Sequence, residues 1–352
     1  MKKLLAMLLA LMMVLSLAAC GTEPSEPEVP SEPETPAEPE TPAEPEVTEA
    51  TYTLGMGVNV STGSSKDGNA QVDATVAVVV LDAEGKIVDV EIDCAQTKLN
   101  TLEFPVDLTA VDVRSKDEKE FAYNMAGASP IGKEWFEQVD ALEEVLVGMT
   151  AADVEAIELV EHNGHKVALN DETIYAACTM DLTGFKAAIV KACNDEYAKE
   201  FTAESFELGL GVLTDVSEST AATAEAEGVA KLYTNFAGVV TDADGVVLAV
   251  LCDMIQPTVN FDAAGAITAT KEDLRTKKEL KFDYNMVTYG GAIAEWFEQT
   301  LAVEEYLVGM TAAEIEALEL YEYNGHMTFE AIVASCTMNV NEFQATVLKA
   351  LA

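Results

Sequence analysis

Arg114–Met125 reads RSKDEKEFAYNM, and Arg275–Met286 reads RTKKELKFDYNM. Each is followed by an identical EWFEQ, at Glu134–Gln138 and Glu295–Gln299. LVGMTAA then follows at Leu146–Ala152 and Leu307–Ala313. All three pairs keep one offset of 161 residues. One module therefore occurs twice in tandem, and the second copy acts as an internal control on the first. A residue kept in both copies weighs more as a property of the module than one found in a single copy.

Outward from these anchors the periodicity sets the fold class. Trp135, Phe136, Val139, Leu142 and Val145 or Leu146 fall at helical spacing within Lys133–Leu146, with Ala294–Leu307 as the partner stretch. Gly148 and Gly309 are stop signals. Thr150 and Thr311 open capping boxes for short helices at Ala151–Glu158 and Ala312–Glu319. Upstream, two apolar, β-branched runs flank a Gly-ended turn: Thr75–Leu81 and Ile87–Ile92 around Asp82–Gly85, then Phe236–Thr241 and Val246–Leu251 around Asp242–Gly245. These are hairpins. Asn163-Gly164 and Asn324-Gly325 are tight-turn pairs, and the copies end in helices at Thr183–Cys193 and Glu342–Leu351. The expected fold is α+β, with two tandem homologous modules at 51–201 and 202–352, each an antiparallel sheet with packed helices. Each copy opens on a GxG, at Gly55 and Gly57 and at Gly209 and Gly211. No helix pattern and no third Gly follow, so a dinucleotide loop is excluded, and the glycines read as points of close approach in a strand.

Lys2 and Lys3 precede an uncharged apolar run, Leu4–Leu15, which ends at Leu17-Ala18-Ala19-Cys20. This order resembles the signal and lipobox of bacterial lipoproteins, which implies a signal peptide at 1–19 and lipidation at Cys20. Multiple acyl chains would anchor the chain to the cell membrane, facing outward. Residues 20–50 are rich in Pro and Glu, repeat TPAEPE, have little to bury and repel themselves; they read as an extended spacer. The formal charge of −42 would repel nucleic acid and anionic surfaces.

No catalytic motif repeats. The hairpin Asp lacks the spacing and terminal Glu of an EF-hand. His162 and His165 form an HxxH, but the second copy has Tyr323 and His326, and no further zinc ligands stand near; no metal site is expected. Neither a nucleophile–base pair nor a Ser/His/Asp set repeats, so no catalytic residue is assigned. After Cys20, Cys94 and Cys178 are separated by 84 residues, as are Cys252 and Cys336. One disulfide per module competes with free buried thiols.

Ala176-Ala177-Cys178-Thr179 and Ala334-Ser335-Cys336-Thr337 precede the final helices. With the hairpin Asp82–Ile92, they resemble the FMN-binding domains of respiratory and surface flavoproteins. Those domains open on such a hairpin and close on a small-residue box ending in Thr. The usual box is Ser/Thr-Gly-Ala-Thr; here the Gly is absent and Cys replaces the penultimate Ala. The resemblance implies FMN as cofactor, with Thr179 and Thr337 as points of attachment beside Cys178 and Cys336. Arg114 with Lys116, and Arg275 with Lys277, are scarce cations that could grip a phosphate or carboxylate, or else form surface ion pairs. Trp135 and Trp296 could stack on a planar ring or belong to the core. The expected function is a cell-surface lipoprotein that binds a small anionic or aromatic cofactor for electron transfer with an unidentified redox partner. The alternative is a non-redox surface binding or structural lipoprotein whose modules hold no cofactor.

Overall fold

The computed structural model describes residues 49–104 and 107–352, so the leader, Cys20 and nearly all of the spacer lie outside the described residues. The first copy runs β1 (Ala50–Ser61), β2 (Asn69–Leu81), β3 (Ile87–Asn100), α1 (Lys116–Lys119), α2 (Trp135–Leu146), α3 (Ala151–Ala156), β4 (Val160–His162), β5 (His165–Val167), α4 (Glu172–Ala177) and α5 (Thr183–Cys193). A linking strand β6 (Lys199–Ala203) leads into the second copy. That copy comprises β7 (Glu207–Asp215), β8 (Gly228–Lys231), β9 (Tyr233–Thr241), β10 (Val247–Ile255), β11 (Thr258–Phe261), β12 (Ile267–Thr270), α6 (Lys277–Leu280), α7 (Met286–Gly290), α8 (Trp296–Leu307), α9 (Ala312–Glu316), β13 (Leu320–Tyr323), β14 (His326–Phe329) and α10 (Asn341–Ala350). The class is α+β, and every described strand pairing is antiparallel.

The first sheet has the order β3-β2-β1-β6 and its counterpart β10-β9-β7. The strands of the first sheet run well past the apolar stretches that mark them in the sequence. β2 begins at Asn69, because Gln71 and Asp73 pair in register with Lys98 and Gln96. In the second copy Pro257 has no N–H to give a ladder, and the long pair is split there. β8, β11 and β12 form a separate three-stranded sheet. The Asp82 and Asp242 turns close as the sequence predicts. Each aspartate carboxylate accepts two backbone N–H bonds at 2.9–3.0 Å, and Gly85 and Gly245 adopt φ of 74° and 76°. Asp262 with Gly265 builds a third such turn, between β11 and β12.

Each central strand is buried on both faces, which explains its continuous apolar run. On β2, Ala77, Val79 and Leu81 face the helices of their own copy, whereas Val76, Val78 and Val80 face the other copy. On β9, Ala237 and Val239 face α8 and α10, whereas Phe236 and Val240 face the first copy. Three cores result: one under each helical layer and one between the sheets, shared by both copies. The described chain is thus a single compact unit with a helix–sheet–sheet–helix layering. β3 lies against β7 and β10 against β1, the reciprocal pattern of an isologous pair. Among the described residues no helix is long and apolar enough to cross a membrane.

The GxG glycines let a helix lie directly on a strand. A Cβ on Gly57 would stand 2.2 Å from the Ala188 carbonyl oxygen of α5, and one on Gly211 would stand 2.1 Å from the Thr346 carbonyl oxygen of α10. Both neighbours are helix backbone and cannot turn aside. Gly57→Ala and Gly211→Ala should each destabilise the protein by about 3 kcal/mol in chemical denaturation. Gly127→Ala, where nothing lies within 4 Å, should leave stability unchanged.

Candidate functional site

The EWFEQ repeat builds one wall of a cavity in the first copy. Its Glu134 is buried at the start of α2, and its carboxylate accepts the N–H groups of Met125 and Ala126 at 2.6 and 3.1 Å. Glu137 turns back to accept the Glu134 N–H at 2.8 Å, closing the helix start. Gln138 is fully buried. Its Oε1 accepts both the N–H and the hydroxyl of Thr179, at 3.0 and 3.1 Å, while its amide NH₂ donates to Lys133 O and Ser129 Oγ. In the second copy Glu295 and Gln299 repeat this scheme, tying Met286 and Thr337 into place. The repeated motif therefore fixes the loop after residue 124 and the box that ends in Thr.

Those loops and α2 enclose a cavity of about 500 Å³. Lys116, Tyr123, Trp135 and Thr179 line it, together with the flexible apolar chains of Met125 and Met180. Phe185 contributes further apolar wall, and His162 and His165 of the β4–β5 hairpin add polar edge. Asn163 and Gly164 make that hairpin's turn at φ of 52° and 84°, as the sequence indicates.

The structure separates the two cations of each Arg/Lys pair. Arg114 points outward, forks onto Asp112 with bonds of 2.9 and 3.0 Å, and does not line the cavity. Arg275 is likewise held at the surface, by Asp273 and Asp283. The lysines turn inward. The Lys116 ammonium sits 5.1 Å from the Tyr123 ring centre and 5.6 Å from that of Trp135. Lys277 repeats this over Tyr284 and Trp296, at 4.8 and 5.2 Å. Among the described residues neither ammonium has a carboxylate within 4 Å, in a chain with three times as many acids as bases. Cation–π contact takes the place of an ion pair.

A relay behind each lysine runs through Gln96 on β3 and Gln256 just past β10, which match at the 160-residue offset of the hairpin turns Asp82 and Asp242. Tyr123 donates its hydroxyl to Gln96 Oε1, and Gln96 Nε2 donates to Asp73 at 2.8 Å. Tyr284 donates to Gln256 at 3.0 Å, but the position matching Asp73 is Tyr233. Burial opposes the charge on Lys116, yet Cys94, Tyr123 and Asp73 nearby lift it above the usual lysine range. Burial drives Lys277 down to about 7, with Glu342 and Asp253 offsetting only part of the cost. The first copy thus keeps its cavity lysine charged at neutral pH, and the second keeps its lysine only partly so.

The remaining sequence candidates fall elsewhere. Cys178 and Cys336 are fully buried in the helix–sheet cores, and Cys178 does not line the cavity. Burial pushes the Cys178 thiol up to about 11, so it stays protonated at neutral pH. All five described cysteines are free. Trp135 and Trp296 are core residues packed on Phe185 and Phe343, at 6.1 and 5.7 Å, and Trp135 also shows to the cavity. The N-cap position of α5 is Leu182; the Asp181 carboxylate, one residue earlier, accepts the Thr183 N–H at 2.9 Å. Gln138, Glu134 and Tyr123 belong to the site without forming part of any candidate motif, and only their repetition in both copies marks them in the sequence. Comparison with protein-family models, curated proteins and solved structures returned no significant match.

One charge exchange between the copies is testable. Glu143 accepts the Ile92 N–H and Glu304 the Cys252 N–H, each at 2.7 Å. Buried Lys278 lies 2.5 Å from Glu304, whereas the first copy has Asp117 in its place. Burial, reinforced by Glu91, raises Glu143 to about 10, so it folds as a neutral acid. The unfolded chain loses that proton near the ordinary Glu value, so stability falls as pH rises from there toward 10. Glu143→Gln should be neutral at pH 5 and stabilising at pH 8. Glu304→Gln strands a buried ammonium and should cost about 3 kcal/mol or more at both pH values. Urea unfolding at the two pH values checks both outcomes.

Proposed function

We propose that the protein is an exported, lipid-anchored binding protein whose first copy takes a small anionic aromatic ligand, with FMN as the candidate. The observation that carries this reading is Lys116: an ammonium with no carboxylate within 4 Å among the described residues, held on two aromatic rings at the wall of a cavity of about 500 Å³ whose lining holds one carboxylate, Asp181. Asp73 nearby favours the Lys116 charge without pairing with it, so an anionic ligand group would gain a direct partner there. The volume lies within the range of cofactor pockets, and the walls are mostly apolar with a few convergent polar groups, as such pockets require.

These features fit the FMN-binding-domain resemblance. Lys116 would meet the phosphate or another anionic group of the ligand. Met125, Met180 and Phe185 would cover its ring, and Thr179 would lie beside it with its hydroxyl directed by Gln138. A bound flavin would supply one- and two-electron transfer to a partner outside the membrane. The chain's own contribution is to bind and shield that ring. The anchor at Cys20 and the acidic spacer would hold the unit away from the membrane surface. A non-redox binding role uses the same cavity for a different anionic aromatic molecule.

Protein purified from a host with lipoprotein export should be yellow, or turn flavin-fluorescent on reconstitution with FMN. Lys116→Gln should weaken FMN binding by about tenfold or more in fluorescence titration, while Arg114→Gln should leave it unchanged. A colourless protein that takes up no FMN, but binds another aromatic anion through Lys116, would replace the flavin reading with the non-redox one. Intact mass of the native protein reads lipid at Cys20 and any flavin on Thr179 or Thr337 together.

A further inference from the structure

The turn that presents Lys116, like its counterpart at Lys277, is gripped from the opposite copy. In the first copy Ser115 and Glu118 form a reciprocal capping box around Lys116. The Ser115 N–H donates to Glu118 Oε2 at 2.9 Å, and the Glu118 N–H donates to Ser115 Oγ at 3.2 Å. The Asp117 N–H between them is tied to Asp93 of β3, at 3.1 Å. The second carboxylate oxygen of Glu118 is taken by Lys349, at 2.7 Å. Lys349 belongs to α10, the last helix of the second copy, and also donates to the Val212 carbonyl of β7 at 2.6 Å. Burial works against the Glu118 charge, but the Lys349 bond and the Ser115 N–H hold its carboxyl below the usual range.

The mirror arrangement is complete. Thr276 and Glu279 box Lys277 at 2.9 and 3.2 Å, and the Lys278 N–H is tied to Asp253 at 3.2 Å. Lys191 of α5, in the first copy, reaches Glu279 at 2.6 Å and the Val58 carbonyl at 2.9 Å. Lysine, strand carbonyl, box glutamate and box hydroxyl recur at equivalent places across the interface. Surface ion pairs formed by chance do not repeat with all four partners. The turn also departs from ordinary backbone in both copies: Glu120 and Lys281, just beyond it, adopt φ of 43° and 49°, a region that side chains avoid. A strained turn of four residues is held in place by its surroundings rather than by itself.

We infer that Lys349 and Lys191 are positioning residues acting in trans: each C-terminal helix fixes the lysine turn of the other copy, so the first copy's ligand cavity is complete only with the second copy docked. This inference takes its functional meaning from the cavity reading above, and its structural content stands without it. Lys349 touches no cavity wall; it acts through Glu118 and the box on the direction of Lys116.

The test uses the full chain and two readouts. Amide hydrogen exchange should show Lys349→Met speeding exchange at residues 117–119 roughly two- to fivefold, the range of an exposed ion pair, with residues 278–280 unchanged. Lys191→Met should give the opposite pattern. Lys349→Arg should restore wild-type exchange, and combining Lys349→Met with Glu118→Gln should add little to either alone. FMN affinity should fall roughly two- to fivefold in Lys349→Met and not in Lys191→Met. Equal acceleration at both turns in either variant, or no change at 117–119 in Lys349→Met, would overturn the inference. If the wild-type protein binds no FMN, the ligand reading fails, and the exchange pattern still decides this one.

Discussion

The whole molecule depends on a sheet that cannot leave either face in water. Val76 to Leu81 on β2 and Phe236 to Val240 on β9 are apolar on both sides of the strand. Helices cover one side of each sheet, and only another sheet of the same kind covers the other. Gly238 marks how close that meeting is: a Cβ there would lie 2.5 Å from Val78 of the opposite sheet. Tandem duplication supplies the covering sheet at high effective concentration, because both are on one chain. The central core and the reciprocal lysine ties follow from that docking.

The two copies have diverged in electrostatics rather than in frame. The same backbone ties recur at Glu134 and Glu295, Gln138 and Gln299, Ser115 and Thr276. What differs is charge beside them: Asp73 against Tyr233, Asp117 against Lys278, His162 against Tyr323. The first two exchanges change the charge beside a buried lysine or glutamate, and the cost of burying that ion with it. One copy thereby holds a charged lysine at an open cavity, and the other places Lys278 and Lys199 around the buried carboxylate Glu304. Duplication with retained packing leaves one half free to change its chemistry while the other maintains the fold.

Much of this was legible in the chain. The repeat, the hairpin turns at Asp82 and Asp242, the capping boxes at Thr150 and Thr311, and the helix Thr183–Cys193 all follow from local rules, since turn and cap geometry involve residues within four positions. The GxG pairs correctly signalled close backbone approach. The repeated pair of cations, by contrast, reads as a unit in sequence, and the structure divides it. Arg114 finds Asp112 two residues away, while Lys116 is turned under by a capping box onto rings seven and nineteen residues distant.

By itself, then, the sequence determined the elements, their duplication and the residues worth watching, because propensity, periodicity and turn chemistry act over a few positions. Only the tertiary structure decided which of those residues share a cavity, which thiols are sealed in core, and that each copy steadies the lysine turn of the other. Those outcomes depend on contacts between residues 40 to 230 positions apart, such as Thr179 with Gln138 and Lys349 with Glu118. The first is made within one copy, where helices pack on their own sheet; the second arises only when two doubly apolar sheets are pressed face to face.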